Sequence, residues 1–232
     1  VAAARRGGSV PGATRVVHGL ELGPATDWKE ALDGVEAVVH LAGLAHETRD
    51  PSALDEYRRA NAEGTRALAE AAAAAGVRRF LYMSTVKVMG EGILGAAAEA
   101  PWRETDHPHP QGAYALTKFE GETALHAVAA RSSMEPIVLR PPVVYGPGLK
   151  ANLLRMLRAI DRGRPLPLGR VTNRRSLVFV GNLADAVDRA LFHPAAAGGT
   201  FFVSDDAPIS TADFAGRRIL GIVFIVLIFT LI

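Results

Sequence analysis

The chain has 232 residues, of which 49% are hydrophobic and 22% are charged, as in a globular protein with a sizeable core. Its formal net charge of +2 is too small to argue for a nucleic-acid partner, and its basic residues are scattered along the chain. Because the chain has no cysteine, it can form neither disulfides nor thiolate metal sites, which is compatible with a reducing compartment.

Apolar, strand-like runs alternate with helix-like segments. The chain begins with VAAARRGG, which resembles the end of a strand, and VEAVVHLAG is an apolar run ended by Gly43, typical of a strand buried on both faces. An alanine-rich helix then stops at Gly76, and VRRFLYMS predicts the next strand. A long helix follows PHPQG, and EPIVLRPP predicts a further strand. The alternation predicts an α/β fold with a doubly wound parallel sheet covered by helices.

The regular alternation breaks near Leu149. Helices recur at ANLLRMLRAIDRG and NLADAVDRALFHP, but LPLG and NRRSLVFV interrupt the pattern. We therefore predict a sheet domain over residues 1–148, a mixed, substrate-binding part with returning sheet elements over 149–218, and a separate tail over 219–232.

The tail, Ile219–Ile232, is an uninterrupted apolar run of fourteen residues. A membrane-spanning helix needs ~20 residues, so the length disfavours a membrane anchor. A buried strand or helix, a sequence artefact such as a frameshift, and membrane contact all stay open.

A phenol and an ammonium lie one helical turn apart in YALTK. Residues i and i+4 share a helix face, so Tyr114 and Lys118 are expected to be neighbours. A positive charge lowers the pKa of a nearby tyrosine and makes it a better base at neutral pH. The pair alone also arises by accident, so the surrounding motifs must decide.

Six segments in order carry a family resemblance: VVHLAG, YRRANAEGT, FLYMSTVKVMGE, YALTK, LRPPVVYGPG and RRSLVFVGNLADA. Together they resemble the extended short-chain dehydrogenase/reductase family, in its nucleotide-sugar epimerase and dehydratase branch, over about Val1–Pro208. The resemblance implies a Rossmann-like fold and an NAD- or NADP-dependent enzyme. The family's first strand and glycine-rich phosphate loop have no counterpart, so we expect an N-terminally truncated chain that binds a dinucleotide weakly by itself.

The resemblance also implies residue roles. Tyr114 would be the catalytic acid/base, with Lys118 lowering its pKa and binding the cofactor ribose. Thr85 would be the third catalytic residue, and Ser84 takes its place if the register slips by one. The implied cofactor contacts are Arg5, Arg6, Leu41, Ala42, Gly43, Asn61, Ser84, Tyr114, Lys118 and Pro141. The implied substrate contacts are Thr85, Tyr114, Asn152 and Arg175, and no metal is expected.

Three departures from the family pattern bear on the reaction. Arg5 and Arg6 stand where an acidic residue usually holds the ribose of NAD, and arginine there favours NADP. Val86 and Lys87 replace the Asp-Glu of the 4,6-dehydratases, so dehydration is disfavoured. Gly181 occupies a position usually held by aspartate.

The function implied is 4-epimerisation of a UDP-hexose or UDP-N-acetylhexosamine through a 4-keto intermediate. An NADPH-dependent 4-keto-sugar nucleotide reductase would use the same residues, and a truncated, inactive fragment is the alternative of another class. The resemblance implies a cytoplasmic protein with a UDP-sugar substrate and no nucleic-acid partner, and it leaves a homodimer open.

Overall fold

The computed structural model describes residues 1–5, 7–45, 53–90, 101–148, 158–159, 162, 174–205, 208 and 210. The chain divides into two units. The first comprises Val1–Glu91, Trp102–Arg140 and Val187–Phe201, and the second comprises Gly92–Pro101, Pro141–Ala186 and Phe202–Ile232. The domain boundaries predicted after residues 148 and 218 stay predictions.

Eight strands and five α-helices are present among the described residues. The strands are β1 (Ala2–Ala4), β2 (Val16–His18), β3 (Ala37–His40), β4 (Arg79–Met83), β5 (Glu135–Arg140), β6 (Val143–Tyr145), β7 (Leu177–Phe179) and β8 (Thr200–Phe202). The helices are α1 (Lys29–Leu32), α2 (Leu54–Tyr57), α3 (Thr65–Ala74), α4 (Gly112–Ala129) and α5 (Val180–Phe192). A π-helical segment, Arg58–Gly64, joins α2 to α3, and short 3₁₀ turns cover Val86–Met89 and Pro194–Ala196.

The main sheet has the strand order β3-β4-β5-β8. Strands β3, β4 and β5 are parallel, with Ala37 opposite Arg79 and Arg79 opposite Glu135. Strand β4 is central, and its apolar side chains are fully buried at Phe80, Leu81 and Tyr82. Burial on both faces explains why this strand has a continuous apolar run. The predicted α/β fold with a parallel sheet is confirmed.

Helices α3 and α4 provide much of the hydrophobic core of the first unit. Their buried residues Leu68, Ala72, Leu125 and Val128 belong to one cluster with Phe80 of β4. This packing fixes α4 against the sheet, so the residues in its first turns have defined positions next to the strand ends.

Strands β1 and β2 form a separate parallel pair, with Ala2 opposite Val16. Within the part of the chain that the structure describes, β1 pairs only with β2, and β3 pairs only with β4. Near the unpaired edge of β3, the side chains of Val39 and Leu41 are exposed. Val17 of β2 nevertheless belongs to the same hydrophobic cluster as the helices of the first unit.

The second unit contains the parallel pair β6-β7. One carboxylate ties its parts together: Asp205 accepts hydrogen bonds from the Tyr145 hydroxyl at 2.8 Å, the Phe179 N–H at 3.1 Å and the Asn182 side chain at 2.8 Å. Burial, followed by the bond to Asp205, raises the pKa of Tyr145 to about 12. A polar side chain thus joins β6, β7 and the start of α5.

Several predictions fall on residues that the structure does not describe. They are Arg6, Asn152, most of the helix predicted at ANLLRMLRAIDRG, and the apolar tail. Among the residues that are described, no helix is both long and apolar enough to cross a membrane.

Candidate active site

Thr85 and Tyr114 meet at the carboxyl end of β4. Thr85 follows the strand in an extended conformation, and its Oγ1 accepts a 3.3 Å hydrogen bond from the N–H of Lys87. The same side chain lies beside the phenol of Tyr114, in the first turn of α4, and acts to lower the pKa of that phenol. Thr85 therefore both caps its own turn and contacts the candidate acid/base.

The pKa of Tyr114 is raised above its ordinary value. Burial is the main cause, the hydrogen bond from Thr85 acts in the opposite direction, and Tyr57 raises the pKa further. The resemblance implied that Lys118 lowers this pKa, and that role stays a prediction, whereas burial sets the direction found for the chain's own residues. The physical reason is that the desolvation of a buried phenol disfavours its charged form.

Lys118 lies one helical turn after Tyr114 and is buried. Its Nζ is 4.0 Å from the centre of the Tyr82 ring. Burial lowers the pKa of Lys118 to about 7, and the negative charge of Glu122 opposes that shift. Among the described residues Nζ donates no hydrogen bond, and its contact is the Tyr82 ring face. Its N–H groups are therefore available to a ligand's hydroxyl groups.

Asn61 fixes the loop that follows β3. Its Oδ1 accepts a 2.8 Å hydrogen bond from the N–H of Leu44, and its Nδ2 donates to the Leu44 carbonyl at 3.0 Å and to Thr117 Oγ1 at 3.1 Å. A Cβ on Gly43 would lie 2.8 Å from Asn61 Oδ1 and 3.7 Å from Lys118 Nζ. The loop backbone can approach Asn61 and Lys118 this closely because position 43 is glycine.

The π-helical segment and α4 approach each other at Gly121. The Asn61 carbonyl accepts a 2.6 Å bond from Thr65 Oγ1 and a 3.4 Å bond from the Tyr82 hydroxyl. A Cβ on Gly121 would lie 2.6 Å from that carbonyl oxygen and 2.6 Å from the Tyr82 hydroxyl. Gly121 thus gives α4 room beside the strand end. Its only signal in the sequence is a glycine inside a helical pattern, which sequence reasoning did not single out.

A buried ion pair supports the other side of α4. Arg140, the last residue of β5, donates to Glu122 from Nε at 3.0 Å and from Nη2 at 2.5 Å. Arg140 also approaches Met89 Sδ at 3.3 Å. The Ser84 hydroxyl donates to Glu122 as well. Because Ser84 is directed to Glu122 while Thr85 meets Tyr114, the arrangement favours Thr85 over Ser84 as the third catalytic residue.

His40 is a buried titratable group that sequence reasoning missed. It ends β3, and its Nε2 lies 3.0 Å from Thr65 Oγ1. Its ring packs against Tyr82 at a centroid distance of 5.3 Å. Burial, assisted by the positive charge of Lys118, lowers the pKa of His40 to about 3. His40 is therefore neutral at physiological pH, and a histidine closing an apolar run was its only sequence signal.

The remaining predicted residues lie at several places. Leu41, Ala42 and Gly43 are exposed at the carboxyl end of β3, and Arg5 is exposed just after β1. In the second unit, Pro141 is buried directly after β5, and Arg175 is exposed before β7. The structure brings together Thr85, Tyr114, Lys118, Asn61 and Gly43, and the cofactor and substrate roles of all these residues stay predictions.

A protein-family model described as "NAD dependent epimerase/dehydratase family" matches residues 1–203. The chain belongs to this family. The resemblance to extended short-chain dehydrogenases/reductases is thereby confirmed.

Individual relatives agree with this assignment. The chain is 42% identical over 196 residues to the UDP-glucose 4-epimerase of Vibrio cholerae, and the matched region covers 83% of this chain and 59% of that protein. It is 29% identical over 170 residues to the N-acetyl-alpha-D-glucosaminyl-diphospho-ditrans,octacis-undecaprenol 4-epimerase of Escherichia coli O157:H7, and that match covers 72% of this chain and 49% of that protein. The solved structure of MoeE5 in complex with UDP-glucuronic acid and NAD matches with a TM-score of 0.77 at 27% identity, over 91% of this chain and 70% of that one. The chain thus spans only part of the length of its relatives.

Proposed function

We propose that the complete gene product is an NAD- or NADP-dependent 4-epimerase of a UDP-hexose or UDP-N-acetylhexosamine, acting through a 4-keto intermediate. The observation that carries the proposal is the placement of the Thr85 side chain beside the Tyr114 phenol, whose pKa it acts to lower, with Lys118 one turn later on the same helix. The 42% identity to a UDP-glucose 4-epimerase supports the reaction class.

Each of the three side chains has a distinct task. Tyr114, as phenolate, would accept the proton of the sugar C4 hydroxyl and return it when the carbonyl is reduced. Thr85 would hydrogen-bond the same oxygen. Because burial raises the pKa of Tyr114, the phenolate needs a nearby positive charge, which a cationic Lys118 would contribute.

The chain's residues fit the nicotinamide half of a dinucleotide. The nicotinamide would accept hydride from sugar C4 and later return it. Lys118 Nζ has no acceptor among the described residues, so its N–H groups suit the ribose hydroxyls. The exposed residues Leu41–Gly43 follow β3, and Gly43 lies beside Nζ, where it leaves space that a Cβ would fill.

A one-way 4-keto-sugar nucleotide reductase is the second candidate, and Arg5 favours it. Arg5 is exposed directly after β1, where a guanidinium suits a 2′-phosphate because its planar fork engages two oxygens. A preference for NADP would favour reduction by exchangeable NADPH over epimerisation with retained NAD.

The nucleotide that accompanies the purified protein separates these candidates. The complete gene product should carry NAD through purification and interconvert C4 epimers of UDP-glucose or UDP-N-acetylglucosamine. A reductase should instead exchange NADPH and consume it with a 4-keto-sugar nucleotide. Protein that holds neither nucleotide and turns over neither class of substrate would refute the proposal.

The Tyr114→Phe variant tests the assignment of the acid/base. It keeps the packing of the ring and should lower turnover ~10²–10⁴-fold, since general acid–base groups typically contribute that much. The bound nucleotide should be retained. Near-full turnover of the best substrate would show that another group moves the proton.

A further inference from the structure

The ammonium of Lys118 is buried without a carboxylate of its own. Among the described residues no ion pair includes Lys118, and Glu122, one helical turn later, already binds Arg140 through both oxygens and accepts from Ser84. The direct contact of Nζ is instead the face of the Tyr82 ring, with 4.0 Å between Nζ and the ring centre.

The Tyr82 ring is held rigidly under that ammonium. The side chain is fully buried in the central strand β4, and its hydroxyl donates to the Asn61 carbonyl at 3.4 Å. The His40 ring packs against it at 5.3 Å. Position 121 has room for this hydroxyl only because it is glycine. The ring cannot turn away without breaking these contacts.

An aromatic face attracts a cation because the ring's quadrupole places negative charge there. The attraction is effective within about 6 Å of the centroid and strengthens when the cation is desolvated. A neutral amine gains little from the same contact. An aromatic face therefore favours the protonated form of a buried lysine.

We propose that Tyr82 is a positioning residue for the active site: the face of its ring holds the Lys118 ammonium beside the loop after β3 and keeps it protonated. The importance of this role for catalysis rests on the proposed function, whereas the contact itself does not.

The other titratable groups near Lys118 do not replace Tyr82. His40, from β3, is neutral because burial lowers its pKa to about 3. Glu122, on α4, raises the pKa of Lys118, but its charge is shared with Arg140. Tyr114, also on α4, is neutral while its phenol is protonated and then offers the ammonium no negative charge. Among the residues that the structure describes, the Tyr82 ring face is the group in direct contact with the ammonium.

The test varies the charge of the ring face while it keeps the ring's shape. Lysine labelled at Cε and Nζ reports the pKa of Lys118 by NMR in the complete gene product, and Lys118→Met identifies its signal. The series is Tyr82→Phe, followed by Tyr82→fluorophenylalanine variants with one to three ring fluorines, which progressively withdraw the negative charge of the face. Exposed Lys29 serves as the control lysine.

The Tyr82→Phe variant should leave the pKa of Lys118 nearly unchanged, because the face is retained. The fluorinated series should lower that pKa stepwise, by about 0.4–1.5 units in total, and leave Lys29 unchanged. In the active enzyme the alkaline limb of the pH–rate profile should shift in the same order.

Two results would overturn the inference. An unchanged pKa across the fluorinated series would reduce Tyr82 to a packing residue, and a full shift already in Tyr82→Phe would assign the effect to the hydroxyl. Thermal unfolding of each variant checks that it is folded. Because the NMR measurement needs no substrate, its failure is distinguishable from failure of the proposed epimerase activity.

Discussion

Replacing Glu122 by glutamine should destabilise the protein strongly, because Arg140 would stay buried with its charge uncompensated. Only 4% of the Glu122 side chain and 6% of the Arg140 side chain are exposed. Two N–H groups of Arg140 and the Ser84 hydroxyl all donate to this one carboxylate.

The expected loss follows from that burial. Removing one partner of a buried ion pair typically costs ~3–5 kcal/mol. Glutamine keeps one acceptor oxygen for Arg140, so we expect the lower end of this range, about 3 kcal/mol. Since domains are stable by only ~5–15 kcal/mol, such a loss is large.

The same helix offers a matched control. Glu120 accepts two hydrogen bonds from Arg58 at 2.9 Å each, but 37% of the Arg58 side chain and 31% of the Glu120 side chain are exposed. Glu120→Gln should therefore cost far less, because water replaces the lost contacts. Urea unfolding of the complete gene product, followed by circular dichroism, gives both midpoints.

Equal losses for Glu122→Gln and Glu120→Gln would refute the reasoning, since burial would then not decide the cost. The double variant Glu122→Met/Arg140→Met provides a second check. It removes both charges together and should recover much of the lost stability, as apolar replacements of buried pairs often do.

Three further variants test other parts of the site. Lys118→Met should be more stable than the wild type below pH 7, because the wild type must then bury a charged ammonium. Between about 7, the folded pKa of Lys118, and its ordinary value of 10.5, the unfolded wild-type chain binds more protons than the folded one. The stability of the wild type therefore rises with pH in that window, and the advantage of Lys118→Met should shrink. Urea unfolding at several pH values measures this, with exposed Lys29→Met as the control variant. Arg175→Ala should weaken UDP binding by ~1.5–3 kcal/mol in calorimetry and leave dinucleotide affinity unchanged; unchanged UDP affinity would contradict the assignment. Gly121→Ala should lower stability by ~1–3 kcal/mol, because its Cβ would meet the Asn61 carbonyl at 2.6 Å, and a raised melting temperature would contradict that contact.

The parallel sheet could be predicted because its signal is local. The run from Phe80 to Tyr82 is apolar at every position, as burial on both faces requires, and it forms the central strand. The π-helical segment Arg58–Gly64 could not be predicted in this way. Its residue Asn61 bonds to Leu44 and Thr117, which lie far away in the chain, and no local sequence pattern encodes such contacts.

In the candidate site, too, the positions of the residues could be predicted from local motifs, but their surroundings in the fold could not. Motif spacing sufficed to select Tyr114, Lys118 and Thr85, and the structure places Thr85 against Tyr114. The direction of the Tyr114 pKa shift could not be read from spacing, because it depends on how deeply the fold buries the phenol. The contact of Lys118 with Tyr82 likewise arises only when α4 packs on β4.

The π-helical segment also limits which deletions the gene can tolerate. A π-helix uses more residues per turn than an α-helix, so removing one residue from Arg58–Gly64 could restore regular α-helical hydrogen bonding. The segment already accommodates one more residue than an α-helix would, so its removal should leave the residues on either side on nearly the same helix faces. Leu68 and Ala72 would stay in the core. A single-codon deletion that spares Asn61 should therefore leave a well-formed helix, whereas a deletion of Asn61 itself should release the loop after β3.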